Sequence, residues 1–154
     1  MSQAGIDLET SLGYLLKEAA SALRSAMEAV LRPLGMTVTH YSCLELLAQR
    51  PGLSNSELAR GTFVTRQSMN VLLQSLERGG YVTRATQASV GKALPTRLTP
   101  RGRRSLATAT AAVRSVEVRM LSDLTEADQA AARSLLRSMV QSLTEPPAGG
   151  DQRV

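Results

Sequence analysis

Residues 54–102, SNSELARGTFVTRQSMNVLLQSLERGGYVTRATQASVGKALPTRLTPRG, decide the fold. Ser54-Asn55-Ser56-Glu57 is a capping box: the serine oxygen accepts an orphan backbone N–H, and the glutamate three residues on reaches back to the amide of the cap. The helix that this box opens is short and is expected to end near Gly61. Thr65 is the next cap, and Met69, Leu72, Leu73 and Leu76 follow it at helical spacing. That stripe leaves Arg66, Gln67, Ser68 and Asn70 off the buried side at the N-terminal end, where they can donate to bases or phosphates. Gly79-Gly80 ends the helix, because glycine enters a left-handed C-cap without a steric penalty. Tyr81-Val82-Thr83 and the run from Ala93 to Leu98 are two short extended candidates around a small-residue loop with Gly91 and Lys92 at its tip. Thr99-Pro100 opens another helix, threonine as cap and proline preorganised at the first helical position. The order predicts a mainly α fold with a small β-hairpin, a helix-turn-helix followed by a wing.

Outward from this stretch the chain is helical. From Asp7 to about Leu34, Leu8, Leu12, Leu15, Leu16, Ala19, Leu23, Met27, Val30 and Leu31 keep a helical period, with Asp7 and Glu9 near the start where acids complement the macrodipole. Pro33 and Gly35 punctuate its end, and Thr39 is expected to cap a helix carrying Tyr41, Leu44, Leu47 and Ala48 up to Pro51-Gly52. Beyond the wing a helix runs from Pro100 to about Leu124. Leu106, Val113 and Met120 are spaced by seven there, as are Ala109 and Val116, the mark of a seam that seeks a partner helix. Thr125 to Asp128 caps a last helix whose two adjoining apolar stripes, one with Ala131, Leu135 and Met139 and one with Leu136, Val140 and Leu143, imply a broad buried face. Residues 1–6 and 144–154 are expected to be loose. The expected organisation is therefore a winged helix-turn-helix domain over 35–103 and a helical dimerisation region over 7–34 and 104–143. Long N- and C-terminal helices are more than a DNA-reading unit needs, and they most simply pack across a two-fold axis. The alternative is that they cover their own core in a monomer.

Charge is concentrated where the motif lies. The whole chain carries +5 over 154 residues, yet residues 60–104 hold nine basic residues against the single acid Glu77, the footprint of a block that faces a polyanion. With 3% aromatics and no Trp the core must be aliphatic, which also argues against stacking platforms for single-stranded nucleic acid. The lone Cys43 rules out an intrachain disulfide, and its place between Tyr41 and Leu44 favours a buried inert thiol over a redox sensor. One histidine, His40, argues against a multi-histidine metal site within a subunit, and no metal or cofactor is expected. No apolar run approaches the roughly 20 residues that span a bilayer, and the first ten residues, MSQAGIDLET, lack the pattern of a secretory leader. A cytoplasmic, nucleoid-associated protein is expected.

From about Leu12 to Leu143 the chain resembles MarR-type transcriptional regulators, winged-helix proteins that repress genes as homodimers and are often released by small phenolic or other aromatic effectors. The resemblance rests on Ser56-Glu57-Leu58-Ala59, then Leu76-Glu77-Arg78-Gly79-Gly80-Tyr81-Val82, then Arg97-Leu98-Thr99-Pro100-Arg101-Gly102, in that order and spacing. Two departures stand out. The family's wing usually carries an Asp-x-Arg pattern whose aspartate holds an arginine at the start of the wing; this chain has Val90-Gly91-Lys92, so Arg84 is expected to lack that partner. Val71 stands where the recognition helix often has a basic residue.

The resemblance implies long N- and C-terminal dimerisation helices, a double-stranded operator as partner and a homodimer that sets two recognition helices on one pseudopalindromic site. Arg66 would pair with guanine acceptors, Gln67 or Asn70 with adenine, and Ser68 with a phosphate or base. Lys92 would reach the minor groove or its phosphates, with Arg84 and Arg97 supporting the wing or touching backbone. Ser54, Thr65 and Gln74 complete the expected DNA-binding set. The resemblance also implies a pocket near the first two helices, where Tyr14, Lys17, Arg24, Met36 and His40 suit a small aromatic acid. An enzyme is the competing class, but G-x-S-x-G, P-loop, HExxH and GxGxxG patterns are all absent. A winged-helix protein- or ligand-binding module without specific DNA recognition is the other alternative, and the missing wing aspartate is its ground.

Overall fold

In the computed structural model of the chain, residues 5–84 and 95–146 are described. Among them the fold is mainly α with one two-stranded antiparallel hairpin, as the sequence predicts. Helix α1 spans Leu12–Leu31 and starts later than the acidic residues suggest. The reason is local. Asp7 spends its carboxylate on the Glu9 amide at 3.1 Å and its carbonyl on the Ser11 amide at 2.8 Å, closing a turn, and Ser11 then caps by accepting from the Tyr14 amide at 3.3 Å. A 3-10 turn, Arg32–Leu34, holds Pro33 and ends on Gly35 in left-handed conformation. Helix α2, Val38–Gln49, is capped by Thr37, which accepts from the His40 amide at 3.1 Å; Thr39, the expected cap, lies inside its first turn.

Helix α3, Asn55–Thr62, carries both halves of the Ser54/Glu57 box, with Glu57 N–H donating to Ser54 Oγ at 3.2 Å and Ser54 N–H donating to Glu57 Oε1 at 3.3 Å. It ends on Phe63 rather than at Gly61. Helix α4, Arg66–Arg78, follows from the Thr65 cap, and its stripe of Met69, Leu73 and Leu76 is buried. Gly80 takes a left-handed φ of 76° and lets the Tyr81 amide return to the Leu76 carbonyl at 2.9 Å. Strand β1, Val82–Arg84, pairs antiparallel with β2, Thr96–Leu98, placing Val82 opposite Leu98 and Arg84 opposite Thr96. The loop before α3 joins in: Gly52 donates to the Thr96 carbonyl and Thr96 to the Leu53 carbonyl, both at 3.2 Å. Helix α5 spans Pro100–Met120. Thr99 Oγ1 accepts from the Gly102 amide at 3.0 Å and donates to the Gly80 carbonyl. At Gly102 a Cβ would stand 2.1 Å from the Tyr81 carbonyl oxygen, so only glycine lets α5 approach the end of α4 this closely.

The buried core is aliphatic and sulfur-bearing, built from Leu31, Met36, Cys43, Leu44, Leu47, Leu58, Met69, Leu73, Leu76, Val82, Leu98 and Leu106. Each such leucine contributes about 1.5–3 kcal/mol over an exposed one. Leu106 and Ala109, from the seven-spaced stripe of α5, belong to this core and Val113 packs on it, while Met120 is exposed. Much of the seam that spacing alone assigned to a partner helix is therefore occupied by the chain's own core.

Among the described residues the chain forms two compact units, with the boundary in sequence between Glu117 and Val118. The second carries α6, Glu126–Thr144, opened by the Thr125/Asp128 box with bonds of 3.1 and 3.0 Å. No residue of α6 is buried: Leu135 is 59%, Val140 60% and Leu143 88% exposed. The broad burial that its two stripes imply is not met within a single chain.

Candidate nucleic-acid interface

Helix α4 presents its polar side from a fixed start. Thr65 Oγ1 accepts from the Ser68 amide at 3.1 Å and lies 3.0 Å from Ser68 Oγ, so both hydroxyls are tied into the cap. Burial of Met69, Leu73 and Leu76 on one side leaves Arg66, Gln67 and Gln74 exposed, with Asn70 half-buried among them. These residues fall at 66, 67, 70 and 74, spacings that share a face. Val71, on the same side, is exposed as well, an apolar group where a cation was expected. Ser54 is half-buried and its hydroxyl oxygen serves the α3 cap. The serine hydroxyl and backbone bonds hold the Glu57 carboxyl below its ordinary range.

Arg84, at the end of β1, does not lack a carboxylate. Its Nε donates to Glu77 Oε2 at 2.9 Å and its guanidinium reaches Asn70 Oδ1 at 3.5 Å. The wing aspartate that the family usually supplies is absent from the sequence, as noted, and the carboxylate comes instead from the last turn of α4, across a tertiary contact that no local pattern announces. Glu77, Arg78, Arg84 and Gln74 line a small open cavity of about 260 Å³. Asn70 in this arrangement has its carbonyl engaged, while Gln67 and Gln74 are the exposed amides of this face. Arg97, opposite Thr83 in the register, is exposed, and its guanidinium lies beside Gly52. Lys92 and Gly91 lie outside the described residues. Six further arginines of the basic block, 60, 66, 78, 101, 103 and 104, are exposed.

Phe63 is the feature that the sequence gives no reason to single out. It is 94% exposed, and its φ of 60° and ψ of 38° are left-handed, a conformation costing roughly 1–2 kcal/mol for a residue with a Cβ. A positive φ at the end of α3 could have been suspected from the break between the Ser54 and Thr65 caps, but a glycine, not an aromatic, would be expected there.

The residues expected to bind a small acid do not form one cluster. Arg24 and Met36 line a cavity of about 440 Å³ together with Glu28, Arg32, Gly35 and Thr37, which the sequence did not mark. Arg24 Nε donates to Glu28 Oε1 at 3.1 Å on the exposed side of α1. Tyr14 and Lys17 are exposed on α1 and are not among that cavity's lining residues. His40 instead packs edge-on against Tyr81 at 5.4 Å, and Arg101 stacks over the same Tyr81 ring, 4.8 Å from its centroid. Burial holds the His40 imidazole below its ordinary pKa, and its Nε2 has no hydrogen-bond partner among the described residues. Cys43 is fully buried beside Met69, with its thiol pushed up to about 12 by desolvation, so it does not supply a thiolate near neutral pH.

A sequence profile of the MarR family matches residues 34–93. The HTH-type transcriptional repressor Rv2887 of Mycobacterium tuberculosis is 42% identical over 135 residues, which are 88% of this chain and 97% of that protein. The chain belongs to the MarR family. Its structure is similar to that of Rv2887 in complex with DNA, with a TM-score of 0.67 at 41% identity over 88% of this chain and 99% of the other. It is likewise similar to Rv2887 in complex with salicylic acid, with a TM-score of 0.69 at 42% identity over 84% and 96%. The profile match falls on α2, the α3–α4 helix-turn-helix and β1, and takes in five of the nine basic residues of the block at 60–104. Among the described residues no helix is long and apolar enough to cross a membrane.

Proposed function

We propose that the protein is a transcriptional repressor that binds a pseudopalindromic double-stranded operator as a homodimer and leaves it when a small aromatic acid binds. The observation that carries this is the N-terminal face of α4, where Arg66 and Gln67 stand exposed on a helix fixed by the Thr65 cap, within a chain 42% identical to a named repressor. Arg66 pairs with guanine O6 and N7, Gln67 with adenine, and Gln74 and Arg97 contact the backbone nearby. Arg84, held by Glu77, sets the base of the wing against α4, and Lys92, between β1 and β2 in sequence, takes the minor groove. The ground for a module without DNA recognition was the missing wing aspartate, and Glu77 supplies that carboxylate from another element.

The homodimer draws on Leu12, Leu15 and Leu16 of α1 and Leu135, Leu136 and Leu143 of α6, all exposed in a single chain. The effector is a carboxylate on an aromatic ring, taken in the cavity of Arg24, Glu28, Arg32, Met36 and Thr37: Arg32 for the acid, Arg24 being paired with Glu28, a thioether against the ring, a hydroxyl for a ring substituent. Its volume of about 440 Å³ lies in the range of small-molecule sites. A protein that acts on operators works in the cytoplasm, at the nucleoid. Fluorescence anisotropy on duplexes from the promoter of its own gene tests this: a specific complex that salicylate dissociates is expected, and no specific complex at any salt concentration would refute it.

A further inference from the structure

We infer that Phe63 is a DNA-contacting residue, an apolar finger that touches the nonpolar atoms of the duplex beside the groove that α4 enters. The inference rests on the proposed operator binding and adds to it a contact that no hydrogen-bonding residue makes. Phe63 is the chain's single phenylalanine and is 94% exposed, although an aromatic ring is among the side chains that gain most from burial. Its backbone is left-handed at φ 60°, where glycine would sit without strain. Two unfavourable features at one residue, neither repaid by packing within the chain, mark a position kept for something outside it.

Its surroundings say what that is. Phe63 ends α3 and stands two residues before Thr65, the cap of α4, so whatever α4 approaches also comes near the ring. The turn is closed by two backbone bonds: the Phe63 amide donates to the Arg60 carbonyl at 3.3 Å and the Val64 amide to the Ala59 carbonyl at 3.0 Å. Arg60 and Arg66, both exposed, flank it in sequence. An apolar ring between two cations complements a surface that alternates phosphates with methyl and sugar carbons, which is the wall of a DNA groove. Val71, exposed on the same polar side of α4, fits the same chemistry. The apolar partner is either the 5-methyl group of thymine or a deoxyribose face.

The test uses the full-length protein and a duplex selected from a random pool by the wild-type chain. Phe63→Gly suits the left-handed backbone, so its melting temperature is expected to equal or exceed that of the wild type; Phe63→Asn, which also tolerates that conformation, serves as the second variant. Both are expected to bind the selected duplex roughly tenfold more weakly with an unchanged salt slope, because an apolar contact releases no counterions. Replacing thymine by deoxyuridine separates the partners. A loss in the wild type that is absent in Phe63→Gly identifies the methyl group, and indifference of both proteins alongside the weaker variant identifies the sugar. Wild-type affinity in both variants overturns the inference while leaving operator binding intact. A loss accompanied by a shallower salt slope, or by a changed oligomeric state in sedimentation, also overturns it. Failure of the wild type to select any sequence overturns operator binding itself, and this contact with it.

Discussion

At the scale of single residues, the account assigns separate jobs to Arg66 and Glu77. Arg66 is exposed on the first turn of α4, and from its proposed pairing with guanine Arg66→Ala is expected to cost about 1–3 kcal/mol of operator binding and to relax the sequence preference, read by anisotropy against point-mutated sites. Glu77 acts through Arg84. The two side chains are 48% and 21% exposed, so their ion pair adds little to folding, at most about 1 kcal/mol after solvent screening. Glu77→Ala is therefore expected to fold nearly as stably as the wild type. Removing an acid from a basic block strengthens nonspecific DNA binding, whereas releasing Arg84 loosens the base of the wing, so the ratio of specific to nonspecific affinity is expected to fall. An unchanged ratio would show that Glu77 does not position Arg84 for DNA. This pair also shows where sequence runs out. Arg66 and Gln67 could be placed on a polar face from the apolar stripe alone, but the Glu77–Arg84 pair depends on how β1 returns along α4.

At the scale of elements, what was legible was what is encoded within four residues. The boxes at Ser54 and Thr125 and the cap at Thr65 were all placed correctly, because a cap is a local contest between one side chain and the next turn of amides. The starts of α1 and α2 were misplaced for the same physical reason in reverse. Asp7 and Thr39 are acceptable helix starters, and only the competing bonds made by Asp7 and Thr37 decide against them. The seven-residue spacing on α5 was real, but spacing does not say whether a partner comes from the same chain, and Leu106 and Ala109 found theirs in the winged unit. Gly102 lies close against the Tyr81 carbonyl, where α5 meets the segment between α4 and β1. Gly102→Ala would place a Cβ 2.1 Å from a backbone oxygen that cannot rotate away, and a loss of about 1–3 kcal/mol in urea unfolding is expected, near the cost of overpacking. A smaller loss would mean that α5 shifts freely on the end of α4.

At the scale of the whole molecule, the account turns on pairing. Leu136 and Val140 on α6 are exposed in one chain, so charging them costs a lone subunit little. Leu136→Glu with Val140→Glu is expected to yield folded monomers in sedimentation at micromolar concentration and to weaken operator binding by orders of magnitude, since a half-site then binds alone. Retention of a dimer would move the interface away from α6. The positively charged block, the capped α4 and the hairpin then serve one purpose: two copies of the same polar helix face set on one duplex. Guanine-N7 methylation interference on the selected duplex reads that arrangement directly. The account predicts two symmetry-related clusters of interfering guanines in the major groove, separated by about one helical turn, roughly 34–36 Å, or a multiple of it, and lost together in Arg66→Ala. A single cluster, or a pattern that Arg66→Ala leaves unchanged, would contradict it.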